Sequence, residues 1–207
     1  CYNTLSRVAR RIDDDPEARD KINAFMNQEV DYEGGVQVVH LLDVLRDRIG
    51  WDAVADAVSR PLDGLRIASY YGCTLVRPRD VAVDDPERPT VMGDAWDAVG
   101  ATPVAFPFAT ECCGTYQVVD RPDLSLERSI RVVGSAARAG ADVIATACPL
   151  CQHNLEQAQR RMEEMNGAEN LTIAYFTELL AAALGMDPLP APLGSVLEIH
   201  GTAEGGT

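Results

Sequence analysis

Six cysteines are the residues of this 207-residue chain whose type and spacing best suit chemistry. They comprise one at the start of the chain, one near position 70, an adjacent pair and a C-x-x-C pair: Cys1, Cys73, Cys112, Cys113, Cys148 and Cys151. Adjacent cysteines pair poorly with each other, because a disulfide between them strains the intervening peptide. We therefore expect both thiols of the adjacent pair to face a third group, which favours metal binding or redox chemistry.

The elements that would position these thiols follow from the hydrophobic pattern. Short apolar runs typical of buried strands lie at 65–73, 102–108, 141–151 and 171–176. Helical patterns alternate with them at 93–99, 124–139, 150–165 and 177–184. This order predicts an α/β domain with a parallel sheet of about four strands and helices on both faces. Cysteines follow the first three strands, and the carboxyl ends of parallel strands share one edge, so we expect five thiols to meet there.

The region before the strands is predicted to be helical. Its pattern breaks at Asp13–Pro16, and a later amphipathic helix is predicted over 36–49. Because the chain starts at Cys1 instead of Met, we expect further sequence to precede it. The predicted divisions are a helical region at 1–60, a cysteine-rich domain at 61–186 and a loosely ordered tail at 187–207.

Charge and hydropathy exclude several classes of function. A net charge of −14 and a pI near 4.5 argue against a nucleic-acid partner, since phosphate binding needs a surface rich in Lys and Arg. No apolar run approaches the roughly 18 residues of a membrane span. With no secretory signal in the sequence, we expect a reducing, cytoplasmic location, where thiols are free for metal or redox work.

The local sequence around the thiols suits negatively charged sulfur. The C-x-x-C pair opens a predicted helix, whose free N–H groups and dipole favour thiolates. Gly72 and Gly114 each flank a cysteine and would let a bulky inorganic group approach the backbone. Four thiols suffice for a structural zinc, which would leave one cysteine as a bystander. A thioredoxin-like dithiol at Cys148 and Cys151 would leave the other three thiols unexplained.

The cysteine spacing resembles a known family. Between Cys73 and Cys112 lie 38 residues, and between Cys113 and Cys148 lie 34. This pattern, with the stretches CYNTL, YYGC, ECCG and TACPLCQ, resembles the cysteine-rich CCG domain of the B-type subunit of heterodisulfide reductase and its relatives. The family carries two such domains in tandem, each holding a non-cubane [4Fe-4S] cluster. The resemblance implies that one cluster is ligated by Cys73, Cys112, Cys113, Cys148 and Cys151, and that Cys1 ligates a second cluster, shared with a preceding domain.

The resemblance also implies an activity. The chain would be an oxidoreductase subunit that reduces a disulfide, such as the coenzyme M–coenzyme B heterodisulfide of methanogenesis, with no protein acid or base required. A ferredoxin-like iron–sulfur subunit and a flavin-containing subunit are the implied partners. Related CCG subunits serve glycolate or lactate oxidation, fumarate reductases and succinate dehydrogenases, so an electron-transfer role of that kind stays open. Two further interpretations also stay open: a structural domain held together by a zinc ion, and a fragment without activity of its own.

Other polar residues have simpler interpretations. His153 is read as a helix residue near the site that could hydrogen-bond a cluster sulfide, and His40 and His200 as structural or solvated. Arg77 and Arg79 are read as surface arginines of a Pro-rich loop, with contact to an anionic substrate as the alternative.

Overall fold

A four-stranded parallel sheet forms the centre of the molecule. The computed structural model describes residues 1–27, 30–166, 171–187 and 191–199. The strands are β1 (Arg66–Tyr70), β2 (Thr102–Val104), β3 (Val143–Thr146) and β4 (Thr172–Tyr175). They pair in the order β2-β1-β3-β4, and every pair is parallel. The predicted α/β fold is confirmed, and each strand lies inside its predicted apolar run.

Helices cover both faces of the sheet, as predicted. Alternate strand residues point to opposite faces because successive side chains of a strand alternate. Ile67 and Val143 face one side, together with the helices α4 (Trp51–Asp56), α5 (Val91–Ala98), α8 (Phe176–Ala183) and α9 (Ala191–Ile199). Ala68 and Ile144 face the other side, against α6 (Pro122–Arg138) and α7 (Pro149–Asn166). Because all the paired strands are parallel, their carboxyl ends lie at one shared edge of the sheet.

The N-terminal region is helical, with the predicted break. Helix α1 spans Tyr2–Asp14 and α2 spans Pro16–Met26. Asp15 separates them because its carboxylate accepts the Ala18 N–H at 3.0 Å, which makes it the N-cap of α2. Within the described residues, no helix combines the length and apolar character needed to cross a lipid bilayer.

The helix predicted over 36–49 begins five residues later than expected. Helix α3 (Leu41–Asp43) continues directly into a π-helical segment, Val44–Ile49. The cause is a capping box, in which the His40 ring accepts the Leu42 N–H and the Asp43 carboxylate accepts the His40 N–H.

Part of the tail that is predicted to be loosely ordered is helical, and residues 188–190 and 200–207 of it lie outside the described residues. Helix α9 forms within it, and Leu193 and Leu197 are buried against the sheet. Its prolines and glycines concealed this helix, because they are typical of loops. His200 lies outside the described residues.

The cap residue His40 makes stability depend on pH. Burial among the Tyr2 and Phe176 rings lowers the pKa of His40 to about 4, below its unfolded value near 6.5. The unfolded chain therefore takes up a proton at mildly acidic pH that the folded chain does not. Stability from this group is complete above pH 6.5 and is lost as the pH falls towards 4.

We expect urea denaturation to show about 2 kcal/mol less stability from this group at pH 5 than at pH 7. His40→Asn is the matched variant, because asparagine keeps a capping side chain without titrating. The fall between pH 7 and pH 5 should be smaller in His40→Asn by that amount. An identical fall in both proteins would contradict the assignment.

Candidate metal centre

Three loops bring five thiols to the carboxyl edge of the sheet. Cys73 follows β1, and the adjacent pair follows β2. Cys148 follows β3, and Cys151 lies in the first turn of α7. β1 is hydrogen-bonded to both β2 and β3, so the three loops begin side by side at this edge. The predicted convergence of the cysteines is thereby explained by strand order.

The five thiols form a continuous string. The Sγ atoms of Cys113 and Cys151 are 3.5 Å apart. The thiols of Cys73 and Cys112, of Cys112 and Cys113, and of Cys151 and Cys148 also lie close enough to shift the pKa of one another. The two middle thiols, of Cys113 and Cys151, are buried, and the other three are half-buried. All six cysteines of the chain are free.

The pKa values of the thiols shift in alternating directions along this string. Interaction with the neighbouring thiols of Cys112 and Cys151 holds the pKa of Cys113 well below the usual range. The Cys112 thiol lowers the pKa of Cys73 to about 7, and the Cys151 thiol, with the N–H groups of Cys151 and Leu150, lowers that of Cys148 to about 6. The same thiol–thiol interactions raise the pKa values of Cys112 and Cys151. Metal binding would therefore release the protons that these two thiols carry.

Tyrosine hydroxyls tether the loops that carry the thiols. Tyr70 donates to the carbonyl of Glu111 and Tyr175 to that of Ala147, both at 2.7 Å. Each acceptor immediately precedes a cysteine, and each tyrosine ends a strand. Burial, followed by the nearby thiolates, raises the pKa of Tyr70, so its hydroxyl stays protonated. Sequence reasoning missed these tethers, although a tyrosine at the end of a predicted strand was a usable signal.

The two glycines beside the cysteines lie at close contacts. A Cβ on Gly72, which has φ +63°, would lie 3.3 Å from Cys151 Sγ. A Cβ on Gly114, which has φ +86°, would lie 2.7 Å from Ser125 Cα in α6. The Cys151 sulfur lies beside Gly72 and helix α6 beside Gly114, so the approach of an inorganic group to these glycines stays a prediction.

Comparison with known proteins identifies this part of the chain. Residues 67–156 match the protein family described as the cysteine-rich domain CCG. That segment contains the whole thiol string. The chain carries a CCG cysteine-rich domain.

Two curated relatives that align with about 90% of this chain are reductase subunits by name. The chain is 28% identical over 91% of its length to the B-type subunit of the ferredoxin:CoB-CoM heterodisulfide reductase of Methanosarcina mazei, of which it covers 64%. It is 29% identical over 90% of its length to the 8-methylmenaquinol:fumarate reductase membrane anchor subunit of Wolinella succinogenes, of which it covers 65%. The chain therefore spans a little under two thirds of these curated relatives. The predicted resemblance to the B-type subunit of heterodisulfide reductase is confirmed, and the relatives are named as reductase subunits.

A solved structure supports the fold. The crystal structure of a hypothetical protein from Helicobacter pylori superposes with a TM-score of 0.66 at 12% identity. The match covers 88% of this chain and 33% of that one. At this identity, the likeness concerns the fold of the CCG domain and its flanking helices.

The side chains of the CCG domain fit a thiolate-ligated iron–sulfur group. Its donors are five sulfurs, the ligand atoms that iron–sulfur clusters take. Cys148 receives backbone N–H groups at the start of α7, which favours negative sulfur there. Within the described residues, no group of three or more His, Cys, Asp or Glu side chains surrounds the position of a single metal ion. The five thiols therefore form a string and not a cage around one ion.

The remaining predicted residues lie around the thiol string. Cys1 is exposed and precedes α1, outside the string. Two residues on, the Asn3 amide donates to the carbonyls of Thr74 and Arg77, both at 2.9 Å, so α1 is docked on the loop after Cys73.

The predicted arginines and His153 have distinct positions. Arg77 donates to the carbonyls of Thr110 and Pro86, so it braces two loops and is not a free surface arginine. Arg79 is exposed and lines an open cavity of about 640 Å³ with Cys73 and Arg77. His153 is exposed and lines a second cavity, of about 350 Å³, between α6 and α7.

Proposed function

We propose that this chain is an iron–sulfur redox subunit whose CCG domain holds one non-cubane [4Fe-4S] cluster through Cys73, Cys112, Cys113, Cys148 and Cys151. The observation that carries the proposal is the continuous string of five thiols at the carboxyl edge of the sheet. Five sulfurs exceed the four ligands of a tetrahedral zinc site, and the string leaves none of them apart. When bound, such a cluster accepts and donates single electrons.

The proposed reaction is reduction of a disulfide, such as the coenzyme M–coenzyme B heterodisulfide or a similar substrate. Each disulfide takes up two electrons and two protons and yields two thiols. The cavity beside Cys73 provides an open approach to the half-buried end of the thiol string. Cys1 would ligate a second cluster together with a preceding domain. A ferredoxin-like iron–sulfur subunit and a flavin-containing subunit would supply the electrons, in the cytoplasm.

A second candidate function is electron transfer in a reductase of another type. The Wolinella succinogenes relative, named as a subunit of a methylmenaquinol:fumarate reductase, matches the chain as well as the heterodisulfide reductase subunit does. In this alternative the same five cysteines hold the cluster, but electrons pass to another subunit instead of a disulfide. Adding a disulfide to the reduced, iron-loaded chain separates the two, because only the first function predicts reoxidation with release of thiols.

Metal analysis tests the cluster itself. We expect the chain, produced anaerobically with iron and sulfide, to be brown and to contain about four irons and four acid-labile sulfides per molecule. It should show an EPR signal in one redox state and lose its colour in air. One zinc per chain with no iron under the same conditions would overturn the proposal in favour of a zinc-stapled domain.

A further inference from the structure

A buried asparagine contacts the central thiol of the string. Asn154 lies on α7, three residues after Cys151 and therefore almost one helical turn along the same side. Its side chain is 7% exposed, whereas the neighbouring His153 is exposed. The Asn154 Nδ2 atom lies 3.4 Å from Cys113 Sγ and 3.1 Å from Thr115 Oγ1.

Two neutral donors can reach this one sulfur. A thiolate only accepts hydrogen bonds, so the amide must present its NH₂ group to Cys113. Thr115 Oγ1 accepts from Asn154 and lies 3.4 Å from Cys113 Sγ, so the hydroxyl can donate its own proton to the sulfur once metal binding has removed the thiol proton of Cys113. Asn154, Thr115 and Cys113 thus form a triangle, in which the hydrogen bond from Asn154 to Thr115 strengthens the one that Thr115 can donate to Cys113.

The triangle is not what places Cys113. Ser125 and Ser129 of α6 donate to its carbonyl oxygen at 3.3 and 3.1 Å, which holds the backbone of the residue. The contacts of Asn154 and Thr115 are instead to the sulfur atom, which would bind metal. Their effect should therefore appear in the electronic properties of the centre more than in its assembly.

We infer that Asn154, together with Thr115, tunes the reduction potential of the metal–thiolate centre by donating hydrogen bonds to Cys113 Sγ. Hydrogen bonds to ligand sulfurs are one of the factors that set iron–sulfur potentials. Each added electron increases the negative charge on the sulfurs, so a donor stabilises the reduced state more than the oxidised one. The two donors carry no net charge, so they raise the potential without adding a counter-ion. This inference rests on the proposed function.

The test compares midpoint potentials of three iron-loaded variants with the wild-type chain. Asn154→Leu removes the amide with little change of shape, and Thr115→Val removes the hydroxyl. Gln157→Leu is the matched control, since it removes an exposed amide one turn further along α7. At the wild-type midpoint potential, we expect the reduced-to-oxidised ratio to fall about tenfold in Asn154→Leu, equivalent to about 59 mV for one electron. Thr115→Val should shift in the same direction, and Gln157→Leu should not shift.

Each outcome of this titration has a defined meaning. Equal potentials in wild type, Asn154→Leu and Thr115→Val, with iron bound in all, would overturn the inference and leave the proposed function standing. Loss of iron from Asn154→Leu with an unchanged potential in Thr115→Val would show that Asn154 is needed to hold the site together, and would also overturn it. A wild-type chain that binds no iron would refute the proposed function and this inference with it.

Discussion

Replacing Cys113 by alanine is expected to remove most of the iron from the chain. Cys113 occupies the buried middle of the thiol string and interacts with Cys112 on one side and Cys151 on the other. Its loss would divide the string into two pairs of thiols. Since even outer partners of metal ligands change affinity roughly 10–100-fold, we expect iron per chain to fall to about a tenth or less of the wild-type value. Iron and sulfide analysis with absorbance spectroscopy measures this.

Cys1→Ala is the matched control for this prediction. Cys1 is exposed and lies outside the string, so this variant should keep the iron bound by the CCG domain. Full iron content in Cys113→Ala would contradict the five-thiol site. Equal losses in both variants would indicate that iron binds to the cysteines without regard to the string.

The second large effect is expected at Gly114, directly after the cysteine pair. Alanine there would require the left-handed conformation at φ +86° and would bring its Cβ to 2.7 Å from Ser125 Cα. The conformation costs roughly 1–2 kcal/mol, and forcing extra volume against helix α6 costs roughly 1–3 kcal/mol more. We expect Gly114→Ala to lower the free energy of unfolding of the metal-free chain by about 3 kcal/mol in urea denaturation.

A second glycine separates the two causes. Gly64 also has a positive φ, +80°, but a Cβ there would have no neighbour within 4 Å. Gly64→Ala should therefore show the conformational cost alone, about 1–2 kcal/mol. If both variants lost the same stability, the close approach of α6 to Gly114 would have no energetic weight.

The thiol site was largely predictable from the sequence, because its signals are local. Each cysteine group follows a short apolar run, and parallel strands always end at one edge of the sheet. The partners of the thiols were not predictable in this way. Asn154, Ser125 and Ser129 occupy ordinary helical positions, and their role depends on which side of α6 and α7 faces the cysteines.

The misplaced helix boundaries have a similar explanation. Val36 and Val39 fit helical spacing but are exposed, because the chain enters its helix only after the cap at His40. The tail forms α9 because Leu193 and Leu197 find a sheet face to cover, a tertiary contact that outweighs its loop-like composition.

The tyrosine tethers have a consequence for the speed of electron transfer. When a redox centre changes its charge, the ligand and solvent dipoles around it reorient if they are free to move. This reorientation slows electron transfer. Tyr70 and Tyr175 fix the carbonyls just before two of the cysteines to the ends of β1 and β4. The dipoles around the sulfurs are thereby set in advance, as in other preorganised sites. If the CCG domain holds the proposed cluster, these tethers would give it a low reorganisation energy, because they limit the movement of the loops that carry the thiols.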